Sequence, residues 1–383
     1  MQHYDSIVVG LGAMGSAALY TLATRGQRVL GLEAFAPGHT LGSYHGESRI
    51  IRLAYYEHPN YVPLLRRAYT LWADLHVASG RELLRTTGGL MIGRPDSELI
   101  QGARASAETH GLAYSVLDPR AVAQRYPALR LAEDEVALWE PTAGVLAPEV
   151  CVDAHVSLAH AAGAETRYGE PVRAWQASDA GVQVVTDVAA YGADQVVVTC
   201  GARMRDLLPQ VPVQAERVTQ FWLAPRTPSM FALGRLPVYL WEIPAAGHIY
   251  GFPHLDRPGA KVARHHTGDV CDPATVDRTV HPEDERRLRA AIADRLPDLQ
   301  GPVLASAVCL YENSPDGHFL IDRVAEHPNV VFAGGFSGHG FKFASVVGEI
   351  VADMVMGRGP TPAAEFLRLA PERLTTPVPP GPH

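Results

Sequence analysis

This chain has no long apolar run. Nowhere does an uninterrupted hydrophobic segment reach the ~18 residues that a membrane helix requires. It has no block of like charge either: 33 Lys+Arg and 41 Asp+Glu are dispersed along 383 residues, for a formal net charge of −8. Binding nucleic acid takes a basic patch to meet phosphates, so nucleic acid is not expected as a partner. Cysteine is scarce. Cys151, Cys200, Cys271 and Cys309 show no C-x-x-C spacing, which leaves no sign of a zinc knuckle, a dithiol motif or a disulfide framework. Metal-ligand spacing, a Ser-His-Asp set and internal repeats are also missing. M-Q-H-Y-D-S-I-V-V-G enters a strand at once, without the positive start and apolar segment of a secretory leader, so a cytoplasmic protein is expected.

What remains is a well-mixed globular composition, 47% hydrophobic and 19% charged. Its length suits two domains. Ser6 to Val9 reads as a strand, followed by G-L-G-A-M-G with Gly10, Gly12 and Gly15 in G-x-G-x-x-G spacing. An Ala/Leu-rich helix from Ser16 to Arg25 and a second strand, Arg28 to Leu32, end at Glu33. This βαβ unit is a dinucleotide cradle. The first glycine allows the tight turn, the second lets the backbone approach a pyrophosphate, and the third lets helix and strand pack closely. The helix N-terminus faces the phosphates with partial positive charge. Glu33 stands where a carboxylate accepts a ribose hydroxyl and disfavours a 2′-phosphate, so FAD or NAD is expected rather than NADP.

Other residues stand out singly. Arg49 and Arg52, in E-S-R-I-I-R, share a face if the segment is helical, and two guanidiniums in proximity suit a carboxylate ligand. They can equally pair with Glu47 and Glu57. Lys261 and His265, in G-A-K-V-A-R-H-H, share one face of a strand; a solvent-facing lysine and a satisfied polar histidine are the alternatives. Cys200, in V-V-V-T-C-G-A, reads as a core residue of a strand returning to the nucleotide domain. Cys309 alone reads as an inert buried thiol. Near the C-terminus, strand Val330 to Ala333 leads into G-G-F-S-G-H-G-F-K-F and then a helix, Ala344 to Met356. Gly335, Gly338 and Gly340 around His339 form a second backbone cradle at a helix N-terminus, where main-chain N–H groups can reach a ligand. A cation at Lys342 opposes the helix dipole, so a surface role fits it poorly. The Pro-rich tail from Thr375 reads as loosely held.

G-S-Y-H-G-E-S-R-I-I-R-L-A-Y closely resembles the segment after the second strand in the monomeric sarcosine oxidase and N-methyl-L-tryptophan oxidase family of flavin amine oxidases. The resemblance covers nearly the whole chain and is densest at residues 5–57, 248–266 and 307–350. It implies FAD, with His45 beside the flavin, Arg49 over its ring and Cys309 joined to it by a thioether. It also implies a lysine, Lys261, that activates dioxygen, His265 near the flavin, Tyr250 and Tyr311 beside the substrate, and a turn at Gly338, His339 and Gly340 wrapping the flavin. Arg52 and Lys342 would clamp the substrate carboxylate. Departures include Arg203, where relatives often carry tryptophan, and a one-residue insertion at Ala245-Ala246; these bear on the substrate side chain.

The expectation is therefore an α/β protein: an FAD-binding, glutathione-reductase-like Rossmann domain with a mixed β-sheet substrate domain of α+β type. Residues 1–85, 146–212 and 306–383 are assigned to the first, 86–145 and 213–305 to the second. The expected activity is oxidation of an N-methyl amino acid by dioxygen in a monomer, with neither metal nor membrane involved. Oxidation of cyclic imino acids such as L-proline, an NAD-dependent dehydrogenase and a non-catalytic flavin-binding protein are the alternatives.

Overall fold

The computed structural model describes residues 1–244, 246–359 and 361–374. The Pro-rich tail from Thr375 and Ala245 of the expected insertion lie outside the described residues. The chain opens with β1 (Gln2–Val9), α1 (Ala13–Thr24) and β2 (Val29–Glu33), then β3 (Arg49–Ile51) and α2 (Tyr61–Ser79). β4 (Leu84–Thr86), β5 (Gly89–Gly93), α3 (Glu98–His110), β6 (Ser115–Leu117), α4 (Pro119–Arg125), β7 (Val136–Glu140) and β8 (Gly144–Leu146) follow. Next come α5 (Pro148–Ala161), β9 (Glu165–Tyr168), β10 (Val172–Ser178), β11 (Gly181–Thr186), β12 (Ala190–Val198) and α6 (Met204–Leu207). β13 (Gln214–Leu223), β14 (Val238–Ile243), β15 (Gly247–Gly251), β16 (Ala260–His265) and α7 (Pro282–Ile292) precede β17 (Val303–Asn313), β18 (Leu320–Val324), β19 (His327–Gly334), α8 (Ala344–Val355) and α9 (Pro371–Leu374).

The first sheet is built on parallel strands in the order β9-β2-β1-β12-β19, extended by antiparallel β10, β11 and β18. Its central strands are apolar throughout, because helices α1, α2, α5 and α8 cover one face and a second cluster around Tyr4, Ile7 and Val196 covers the other. The second sheet has the order β17-β13-β16-β15-β14-β5-β7-β6 and is antiparallel except where β14 meets β5. β17 crosses the expected boundary at 306: it pairs with β13 from Val303 to Asn313, so the strand that carries Cys309 belongs to the second sheet.

Two local expectations change. Arg49–Ile51 is a short strand paired with β8, not a helix, because the β-branched pair Ile50-Ile51 fits a three-stranded ladder. Helix α1 begins before Ser16, and Gly15 lies inside it. The reason is steric. A Cβ on Gly15 would overlap the Gly10 carbonyl and reach within 2.5 Å of the Thr199 hydroxyl. Gly10 needs its own freedom, with φ +87° and Thr199 O only 2.6 Å from where a Cβ would stand.

Gly12 differs: a Cβ there meets only the Tyr44 ring, at 3.8 Å. Gly15→Ala should therefore lower the thermal midpoint through a backbone clash of about 1–3 kcal/mol or more. Gly12→Ala should melt with the wild type. Differential scanning of the two variants checks this; equal midpoints would contradict the packing described.

Candidate functional site

The two sheets share a cavity of about 640 Å³. One end is the βαβ cradle. Gly10 N–H donates to Leu32 O at 2.8 Å, tying the turn to β2. Gly12 caps α1 with no side-chain partner, so first-turn N–H groups face the cavity, which Gly12, Ala13 and Met14 line. Thr199, at the end of β12, donates its hydroxyl to Gly10 O at 2.8 Å and closes the turn from the other side. Glu33 accepts from Leu11 N–H at 2.8 Å and Phe35 N–H at 3.2 Å. Burial pushes its carboxyl up, but His39 and these amides outweigh that and hold it below the usual range, hence ionised. Cys200, partly buried, packs against the core cluster around Tyr4, Ile7 and Val196 and also borders the cavity.

The far end is the C-terminal turn. Gly335 and Gly338 adopt φ of +65° and +74°, and a Cβ on Gly338 would strike the Tyr311 ring at 2.5 Å. His339 donates from Nε2 to Gly317 O at 2.9 Å and accepts at Nδ1 from Tyr55 OH at 2.5 Å. Burial takes its pKa down to about 3, so it is neutral. Gly338, His339, Gly340 and Lys342 all line the cavity.

Lys342 is not a surface lysine: it is 6% exposed. Its ammonium donates to His339 O at 2.7 Å, and Trp72 Nε1 donates to the Lys342 carbonyl at 2.9 Å. Arg52, 3% exposed, donates through Nη2 to both oxygens of Glu57, at 2.9 and 2.8 Å, and through Nη1 to Ala54 O. The pairing of Arg52 with Glu57 is thus present, whereas Glu47 pairs with Arg257. Arg52 and Lys342 both stand over the Tyr55 ring, at 4.4 and 5.2 Å. Burial pushes Glu57 up, yet Arg52, with Lys342, holds it below the usual range and ionised. One carboxylate against two cations leaves this corner with a surplus positive charge. Burial and the nearby Arg52 charge lower Lys342 to about 7.

Between the ends lie Arg49, Tyr250, His265 and Tyr311, all on the wall. Arg49 donates to the carbonyls of Ser43, His45 and Ser48, each at 2.8 Å, and its Nη2 lies 3.8 Å from Cys309 Sγ. Cys309, His45 and Lys261 are one layer behind. The Cys309 thiol rests 3.4 Å from Ser43 O. Lys261, 2% exposed and so not solvent-facing, donates to Gly46 O, Ser48 O and Ser48 Oγ. Burial and the Arg49 charge lower it well below the usual lysine value. His265 pairs through Nδ1 with Tyr311 OH at 3.0 Å, and burial keeps it neutral.

Several wall residues had no motif to announce them: Thr199, Gln220 and Glu312. Glu312 carried one signal, an acid inside the apolar strand A-V-C-L-Y-E-N. The residues suit FAD. Beyond the glycine cradle and the Glu33 carboxylate, three buried polar atoms at or behind the wall have no hydrogen-bond partner among the described residues: His45 Nε2, Gln220 Oε1 and Glu312 Oε2. Such atoms point to a polar ligand.

Residues 5–354 match the family model described as FAD dependent oxidoreductase. The chain is 46% identical over 359 residues to a monomeric sarcosine oxidase of Streptomyces avermitilis, covering 92% of this chain and 94% of that one. It is 34% identical over 368 residues to an N-methyl-L-tryptophan oxidase of Citrobacter koseri, covering 93% and 96%. Among solved structures, NikD, an amino acid oxidase essential for nikkomycin biosynthesis, superposes with a TM-score of 0.84 at 26% identity over 96% of this chain and 98% of that one. With its dinucleotide cradle, its two-sheet cavity and these matches, the chain belongs to the FAD dependent oxidoreductase family.

Proposed function

We propose that the protein is a flavin-dependent oxidase of N-methyl amino acids. A secondary amine R–NH–CH₃, dioxygen and water become R–NH₂, formaldehyde and hydrogen peroxide. The observation that carries this reading is the surplus positive charge of Arg52, Glu57 and Lys342 on the wall of the cavity that also holds the dinucleotide cradle. A fixed cation pair beside a cofactor site recognises an acid group and sets the distance of the neighbouring amine from the cofactor. The names of the similar oxidases from Streptomyces avermitilis and Citrobacter koseri support the same substrate class.

Gly10, Gly12, Gly15 and Glu33 would hold the FAD diphosphate and ribose, with Gly338, His339 and Gly340 at the ring end. His45, Arg49 and Cys309 would lie beside the ring, Cys309 joined to it by a thioether. Bound FAD would supply the two-electron acceptor for the amine and return the electrons to dioxygen. Lys261 holds its nitrogen against three oxygen acceptors, where an amine whose proton affinity is lowered by burial and Arg49 can take up positive charge as negative charge develops on dioxygen. His265 fixes the Tyr311 hydroxyl, and Tyr250 closes the cavity beside it. We assign residues 1–85, 146–212 and 306–383 to the cofactor unit and 86–145 and 213–305 to the substrate unit, with β17 as the strand that joins them. A monomer fits this reading. Among the described residues no helix is long and apolar enough to cross a membrane.

Oxygen uptake tests the function. Sarcosine or a larger N-methyl-L-amino acid should support uptake, and the corresponding amide, which lacks the acid, should lose at least ~30-fold in kcat/KM. Equal rates with acid and amide would contradict the cationic corner, and uptake with L-proline alone would move the substrate class.

The link at Cys309 is checked by mass. Acid-denatured protein should carry the added mass of one FAD, and Cys309→Ser should not; an unmodified wild-type mass would contradict the attachment.

The corner also sets a pH dependence. Glu57 is ionised and His339 neutral across the neutral range, which leaves Lys342 to titrate near 7. The protonated form binds an anion, so affinity is full below about 7 and falls as pH rises through it. Binding of an amine-free carboxylate, followed by the flavin spectrum, should weaken up to ~10-fold per pH unit above that point, and Lys342→Met should bind weakly with no such slope. A flat profile in the wild type would contradict the assignment.

A further inference from the structure

Glu312 has no part in the chemistry described so far. It is 6% exposed, lines the cavity, and its Oε2 has no hydrogen-bond partner among the described residues. Its position is defined by two backbone turns. Oε2 lies 3.8 Å from where a Cβ would stand on either Gly201 or Gly334, so the carboxyl lies beside both backbone turns, next to Met204 at Gly334. The Glu312 carbonyl accepts from Ser337 N–H at 2.8 Å, which pins the residue to the second glycine turn. Along β17 it stands beyond Cys309 on the alternate face, and Gly201, which it approaches, follows Thr199, whose hydroxyl donates to Gly10 O in the first cradle.

The carboxyl is therefore midway between the ring end and the phosphate end of the cavity. Burial pushes its pKa up to about 8, partly offset by the amides of Phe336 and Gly335. At neutral pH it is a carboxylic acid, with one O–H to donate and oxygens to accept. Hydroxyl groups match that pattern, whereas an ionised carboxylate in the same place would repel a diphosphate. A buried carboxyl with one oxygen left without a partner also destabilises a protein that has nothing to satisfy it.

Given FAD in this cavity, as proposed above, we infer that Glu312 is a cofactor-binding residue whose carboxyl hydrogen-bonds the hydroxylated chain between the flavin ring and the diphosphate. The residue accepts poorer stability of the empty protein in exchange for affinity of the filled one.

The test uses the full chain carrying Cys309→Ser, so that FAD binds reversibly. Dissociation constants come from quenching of FAD fluorescence, and melting points from the FAD-free protein. Glu312→Met should bind FAD about tenfold or more weakly while its FAD-free form melts at the same temperature or a few degrees higher. Glu312→Gln, which keeps a donor and an acceptor, should bind within about threefold of the parent. A Glu312→Met protein that binds FAD as tightly as the parent, or that melts lower with unchanged affinity, overturns the inference and marks the residue as structural. Should Glu312→Met not fold, the parent itself decides: an FAD analogue with an unsubstituted alkyl chain in place of the polyol should bind at least about tenfold more weakly than FAD, and equal affinity overturns the inference. A parent that binds no FAD at all removes the reading beneath it instead.

Discussion

The interaction on which the site depends is a buried ammonium. Lys342 is almost wholly removed from water, yet its nitrogen has one protein acceptor, the His339 carbonyl. Removing a charge from water is costly unless partners replace the solvent. Glu57 is the nearest compensating anion, but it is already claimed by Arg52. In the unfolded chain this lysine holds its proton to near its ordinary 10.5; folded, it gives it up above about 7. Burial of Lys342 therefore weakens the fold in full below about 7, and the penalty fades as pH rises toward 10.5. An acid group bound at the corner would reverse that penalty, which makes the strained cation a binding device.

The rest of the architecture positions this corner against a cofactor. The nucleotide sheet ends at two glycine turns, after β1 and after β19, and both aim backbone N–H groups into one cavity. The second sheet supplies β16 and β17, and with them Lys261, His265, Cys309, Tyr311 and Glu312. Gly46 connects the two systems. Its φ is +109°, its N–H and that of Glu47 donate to Glu149, and its carbonyl takes the Lys261 ammonium. Neither sheet alone would form a site.

The first cradle was legible in the sequence because its glycines obey steric rules at fixed spacing, with Gly10 and Gly15 each excluded from bearing a side chain by a named backbone atom. The second cradle was legible for the same reason. The start of α1 was not, because a glycine in a helix argues against the helix until the neighbouring carbonyl that demands it is known. Spacing could not tell whether Arg52 binds a ligand or Glu57; the structure has it paired with Glu57 and still on the wall, since one acid cannot neutralise two cations. The burial of Lys261 and Lys342 was beyond local pattern, because the groups that cover them come from distant strands. Glu312 offered only the signal of an acid in an apolar strand, since its meaning as a site residue comes from Gly201 and Gly334, elsewhere along the chain.

The most direct measurement is a crystal structure of the FAD-loaded protein with a bound N-methyl amino acid or an amine-free analogue. The expected result is a carboxylate within hydrogen-bond reach of both Arg52 and Lys342, with the nitrogen turned toward the flavin. A carboxylate resting instead against Arg203 or Arg278, the cations at the other end of the same cavity, would contradict it.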